Sequence, residues 1–276
     1  MKSDKDKKVK KYFIAVAHGS PDKLNEEDVS RLCKEIEKKI RENDTETTFI
    51  KSYLEFGQPR FDDVVKEIII KDKDKRENTS FFFIRPFLLF RAGHMENDIE
   101  AKLKGIENVM VSGVLAESER FQKFFSNFIE NFLQTKTNHK SKSILNLENP
   151  LFIFVARGTS SKTGASQVYS FCRIIWENLG KKGHMEVCFA DANKPSLKDV
   201  IDVLDLKKFS SIVVIPVILF RGFVMKKIGK ELASILKEKG FPLKTSNSGN
   251  IPYVILPPCG YFSASQLADV LAEFPE

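Results

Sequence analysis

IRPFLLFRAGHM (residues 84–95) and VIPVILFRGFVM (residues 214–225) decide the fold, because they are one pattern written twice. Laid over each other, they put Pro86 on Pro216, Arg91 on Arg221 and Met95 on Met225. AVAHGSP (15–21) pairs in the same way with FVARGTS (154–160), and FGQPRFDDVV (56–65) with ANKPSLKDVI (192–201). Matches in this order and at near-constant separation mark an internal duplication.

Around these anchors, short apolar runs alternate with longer stretches of helical period. The expected strands are 12–17, 48–55, 80–89 and 108–115 in the first copy, and 151–156, 186–191, 210–219 and 252–256 in the second. Between them, Val29, Leu32, Cys33, Ile36 and Ile40 make one helical stripe; Phe121, Phe124, Phe125, Phe128 and Phe132 make another. Ser196 followed by Asp199 is a helix-start signature. Strands this apolar and separated by helices call for parallel sheets covered on both faces. The polar run TKTNHKSKS (135–143) reads as the linker. The expected fold class is therefore α/β: two tandem homologous parallel-sheet βαβα domains, residues 1–138 and 139–276, with a cleft between them and the second a degenerate repeat.

A chain of 276 residues with 42% hydrophobic and 29% charged content excludes wholesale disorder, a collagen-like repeat and a disulfide scaffold. Its formal charge of +7 favours anionic ligands without marking a nucleic-acid binder. Cys33, Cys172, Cys188 and Cys259 form no C-x-x-C pair and read as buried hydrophobes in a reducing compartment. No window approaches the roughly 20 apolar residues of a membrane helix, and the start MKSDKDKKVKK leads no signal-peptide core. No membrane association and a cytoplasmic location are expected.

Ligands of open parallel sheets bind beyond the strand carboxyl ends, where strand order reverses. His18 falls just past the first strand, Glu55 at the end of the second and His94 a few residues past the third. Small residues flank both histidines (Gly19 and Ser20; Ala92 and Gly93), and in the aligned second copy Arg157 replaces His18 and Val224 replaces His94. Two neutral imidazoles and a carboxylate suit a divalent ion such as Fe²⁺, Co²⁺, Ni²⁺ or Zn²⁺ better than Mg²⁺. Each residue also has a plainer reading, as a turn, cap or solvated group. His139, in the linker, and His184, at the opposite edge, read as surface residues. The loop RGTSSKTGAS (157–166) lacks the spacing of a nucleotide phosphate loop.

With those residues in place, the chain resembles the sirohydrochlorin cobaltochelatase and ferrochelatase family, the class II chelatases, in its long duplicated form. The motifs are AHGS (17–20), YLEFGQP (53–59) and PFLLFRAGHMENDI (86–99). Gln58 stands where the family often has an acid, and the family's G-x-H reads Ala92-Gly93-His94 here. The resemblance implies insertion of Co²⁺ or Fe²⁺ into a tetrapyrrole on the sirohaem or cobalamin route. His18, His94 and Glu55 would be the catalytic and metal-handling groups. It implies a divalent metal as substrate and no permanently bound cofactor, and a monomer is expected because duplication supplies two domains in one chain. Ser20, Arg91, Arg157 and Arg221, with Arg85, are candidates to meet the substrate's carboxylates. The competing readings are a metal or tetrapyrrole carrier without catalysis, and a two-His-one-carboxylate iron oxygenase.

Overall fold

Eight strands form where the apolar runs stand. The computed structural model describes residues 9–71, 80–137, 145–241 and 251–274. In the first repeat they are β1 (Lys10–Ala17), β2 (Thr48–Tyr53), β3 (Ser80–Pro86) and β4 (Val109–Val111), hydrogen-bonded in the order β2-β1-β3-β4, all parallel. In the second they are β5 (Pro150–Ala156), β6 (His184–Phe189), β7 (Ser211–Val217) and β8 (Tyr253–Ile255), in the order β6-β5-β7-β8. The same order arises twice because the same pattern is written twice.

The helices of the first repeat are α1 (Lys23–Asn43), α2 (Phe61–Val64, running on as a π-helical Val65–Ile70) and α3 (a π-helical His94–Glu100 closing as Ala101–Leu103). After them come α4 (Glu119–Thr137), α5 (Lys162–Asn178), α6 (Leu197–Val203), α7 (Phe223–Glu238), α8 (Cys259–Phe262) and α9 (Ala264–Leu271). Ser196 and Asp199 do form a capping box at the start of α6. The expected linker begins later than its composition suggests, since α4 runs through Thr137. His139 and most of that run, like the lysine-rich residues 1–8, lie outside the described residues.

Both central strands of each sheet are buried on both faces. In the first sheet, Ile14, Val16, Phe82 and Ile84 share a core with Phe61 and Val64 of α2 and Met95 and Ile99 of α3. On the other face the Phe13 ring lies 5.1 Å from Phe83 and 5.6 Å from Phe274. In the second sheet, Ile153, Val155 and Val214 pack with Val200 and Ile201 of α6 and Ile228 and Leu232 of α7. Its opposite side meets an aromatic seam in which Phe171 of α5 stands 5.3 Å from Phe125 of α4.

The packing units differ from the sequence repeats. One unit comprises Met1–Ser118 together with Ala264–Glu276, the other Glu119–Ser263. Helix α4 follows the first repeat in sequence but packs on α5, whereas α9, from the end of the second repeat, packs on α1. An amphipathic stripe specifies that a face must be covered; it does not specify by which sheet.

Candidate metal centre

With the order β2-β1-β3-β4, the chain leaves β1 toward one side and returns to β3 on the other, so the reversal lies between the carboxyl ends of β1 and β3. His18 follows β1 directly and His94 opens α3 after β3. Glu55 lies two residues beyond β2, where its N–H donates to the His18 carbonyl at 2.8 Å. Backbone pairing between the β1 and β2 exits thus sets Glu55 beside His18.

The turn that permits this requires glycine. Gly19 has φ +87°, and a Cβ there would fall 1.8 Å from the Glu55 carbonyl oxygen. A Cβ on Gly57 would fall 2.4 Å from the Tyr53 ring, so that buried ring forms a floor beneath the second loop.

His18 Nδ1 lies 2.9 Å from the Gly19 carbonyl, which can only accept, so Nδ1 carries the proton and Nε2 offers a lone pair. His94 Nδ1 lies 2.7 Å from Asp98 Oδ2, which likewise directs the Nε2 lone pair outward. The two Nε2 atoms face each other at 3.0 Å. At this separation the two nitrogens can share a single proton or a single cation between them. Bonds of about 2.1 Å to two nitrogens this far apart would meet at about 90°, closer to adjacent octahedral positions than to a tetrahedral zinc site. Ligand atoms of His18, Glu55 and His94 all lie within 4.8 Å of one another, and all three residues are half-buried. The arrangement can hold a divalent ion on one side while leaving coordination positions open to another ligand.

Asp98 was not legible as part of this group, although its i,i+4 spacing from His94 is visible in GHMEND. The carboxylate candidates fare differently from the metal candidates. The Ser20 hydroxyl accepts from the Asp22 N–H at 3.2 Å, and Asp22 caps α1, so Ser20 helps start that helix. Arg91 donates to Glu100 at 2.9 Å. Arg85 bonds the Glu273 carbonyl at 2.6 Å, and burial lowers its pKa to about 10. In the other unit, Arg157 is exposed after β5, while Arg221 stacks 4.1 Å from the centre of the Tyr261 ring.

The second unit keeps the backbone of the site and loses its ligands. Asp191 N–H donates to the Arg157 carbonyl at 2.8 Å, and Gly158, with φ +100°, faces the Asp191 carbonyl as Gly19 faces that of Glu55. Phe56 and Ala192 share left-handed φ values of 52° and 53°. Aligning the sequences opposes His94 to Val224, but the helices show otherwise. At the helix starts Ala92 answers to Gly222, since Gly93 and Phe223 are the first helical residues and the Ala92 and Gly222 carbonyls accept from Glu96 and Lys226, yet the core-facing pair Met95 and Ile99 corresponds to Val224 and Ile228. By the core-facing register His94 answers to Phe223, and Asp98 to Lys227, because α3, which opens as a π-helix, carries one residue more between its start and its core positions than α7 does. Lys227 donates to the Ala190 carbonyl at 2.5 Å and pairs with Asp191, an ion pair where the first unit gathers ligands.

The fold and site together define a duplicated parallel α/β protein with a two-imidazole, one-carboxylate centre in its first repeat. The CbiX family model matches residues 12–131 and again 151–272, so the chain belongs to the CbiX family, the class II chelatases in their long, duplicated form. Among solved structures it is similar to SirB from Bacillus subtilis with Fe³⁺, at 18% identity and TM-score 0.65 over 94% of this chain and 92% of that one. It is similar to the sirohydrochlorin chelatase SirB of Bacillus subtilis subspecies spizizenii in complex with cobalt, at 14% identity and TM-score 0.64 over 95% and 93%. It also resembles CbiX, described as the terminal enzyme for biosynthesis of sirohaem in denitrifying bacteria, at 14% identity and TM-score 0.55 over 94% and 96%. At these identities the likeness is one of fold. Comparison with curated proteins gives no match. Among the described residues, no helix is long and apolar enough to cross a membrane.

Proposed function

We propose that this protein is a sirohydrochlorin chelatase that inserts Co²⁺ or Fe²⁺ into the tetrapyrrole. The observation that carries the reading is the pair of Nε2 atoms 3.0 Å apart, with Glu55 beside them, at the point where strand order reverses. Membership of the CbiX family supports it, as do the iron and cobalt in the two SirB structures.

The chemistry follows from the donor set. Insertion needs a metal held by ligands that exchange readily, and two pyrrole N–H protons must be taken up. A neutral imidazole performs either task, first as ligand and then as base. Glu55 offsets the charge of the arriving dication and accepts a proton as the metal leaves. The metal is substrate, no resident cofactor is required, and the chain works as a monomer in the cytoplasm. Ser20, Arg91, Arg157 and Arg221 are the proposed contacts for the substrate's carboxylates. Arg91 and Arg221 would have to exchange Glu100 and the Tyr261 ring for them.

The test is anaerobic incubation of sirohydrochlorin with Co²⁺ and, separately, Fe²⁺, followed by visible absorption, for wild type, His18→Ala and His94→Ala. Multiple turnovers lost in both variants support the reading. Stoichiometric binding without turnover would replace it with a carrier, and no interaction would end it.

A further inference from the structure

We propose that Asp98 is a positioning residue for metal capture, acting through His94. The inference rests on the metal-centre reading above and adds a residue to it. Asp98 Oδ2 lies 2.7 Å from His94 Nδ1, the nitrogen that faces away from His18. A carboxylate there fixes the rotation of the ring, holds the proton on Nδ1 and increases electron density at Nε2. The carboxylate is itself held: its Oδ1 is 4.0 Å from the Lys102 ammonium, which pairs with Asp62 of α2. The chain His94–Asp98–Lys102–Asp62 thus links a ligand to two helices.

The simplest competing account is that Asp98 only serves its helix, as an acid near the amino end or half of an i,i+4 pair. The second repeat argues against this. Helix α7 packs by the equivalent apolar positions, Val224 and Ile228 for Met95 and Ile99, with Lys227 in place of Asp98. The helix does not need the acid. Phe223 stands there in place of the imidazole, so carboxylate and imidazole occur together in one copy and are missing together in the other.

The deciding experiment titrates the full-length protein anaerobically with Co²⁺ alone, in wild type, Asp98→Asn and Asp98→Ala. Binding is followed by calorimetry and by the visible ligand-field bands, and melting curves are recorded on the same samples. Asp98→Asn is isosteric and keeps the helix, so its melting should match wild type. Both variants are expected to bind Co²⁺ about 10–100-fold more weakly, as loss of such an outer partner commonly does, with altered band positions. In turnover, KM for the metal should rise while KM for the tetrapyrrole does not. Wild-type affinity and an unchanged spectrum in Asp98→Asn would overturn the proposal while leaving the metal centre intact. Failure of the wild type to bind Co²⁺ would overturn the metal centre and this inference with it.

Discussion

Gly19 and Glu55 touch backbone to backbone: a single methyl group on Gly19 would lie 1.8 Å from the Glu55 carbonyl oxygen. Gly158 and Asp191 repeat the contact at 2.2 Å in the other unit, where the described residues form no ligand cluster. The duplication therefore contains its own control. Gly19→Ala combines a left-handed backbone with this clash and should cost more than about 1 kcal/mol. Gly158→Ala should cost a similar amount. Only Gly19→Ala should also impair Co²⁺ binding, which melting curves and titration together would separate. Equal loss of binding in both variants would contradict the assignment of the site to the first unit.

Glu55 and Asp191 form a second matched pair. Glu55→Gln keeps the shape and removes the charge, and turnover should drop at least about 100-fold if the carboxylate takes part in proton transfer. Asp191→Asn breaks only a half-exposed pair with Lys227, worth at most about 1 kcal/mol, and should leave turnover alone. Steady-state rates on both variants decide the matter.

All four cysteines are buried and free. Burial pushes the thiols of Cys33, Cys188 and Cys259 up to about 12 and that of Cys172 higher still. Since the thiolate is the reactive form, a thiol reagent at pH 8 should label none of them in the native protein and all four after denaturation. Rapid native labelling would show that a cysteine is available to metal.

Several surface carboxylates are held below their ordinary range by lysines: Asp199 by a hydrogen bond from Lys194 and then by its cap, Asp202 by Lys239, and Asp44 by Lys11. A lowered folded value means stabilisation present above the unfolded carboxylate value near 4 and lost as pH falls through the folded values. Thermal melting should therefore hold level above about pH 5 and fall below about pH 4. Added salt should shrink the effect, because these groups are exposed.

Cutting the chain between its repeats should not release two folded halves. Residues 1–138 would keep α4 without Phe171 and Phe262, the rings its aromatic stripe meets, and would lack α9, the partner of α1. Each buried phenylalanine left uncovered forfeits about 1.5–3 kcal/mol. The fragment should bind a hydrophobic dye and melt without cooperativity; a sharp two-state melt would disprove the helix exchange.

The eight strands and their parallel sense could be read from the sequence because apolar runs and helical stripes differ in period. His18, Glu55 and His94 could be found because strand ends map directly onto one sheet edge. What could not be read depended on through-space pairing. Arg91 binds Glu100, nine positions away. The partner of α1 comes from the end of the second repeat, and the counterpart of His94 is displaced by one residue that only the core-facing positions of the two helices reveal. Asp98 escaped notice because an i,i+4 His–Asp pair is ordinary on any helix surface until the other face of the imidazole is known.

The helix exchange also imposes an order in time. A ribosome makes the first sheet, both histidines and Glu55 early, yet the unit that holds them is completed by Ala264–Glu276. Synthesis at about 5–20 residues per second leaves roughly 7–30 s between Ser118 and that closing segment, during which α1 has no α9 to cover it. A prematurely terminated chain thus leaves the histidine-bearing unit unfinished.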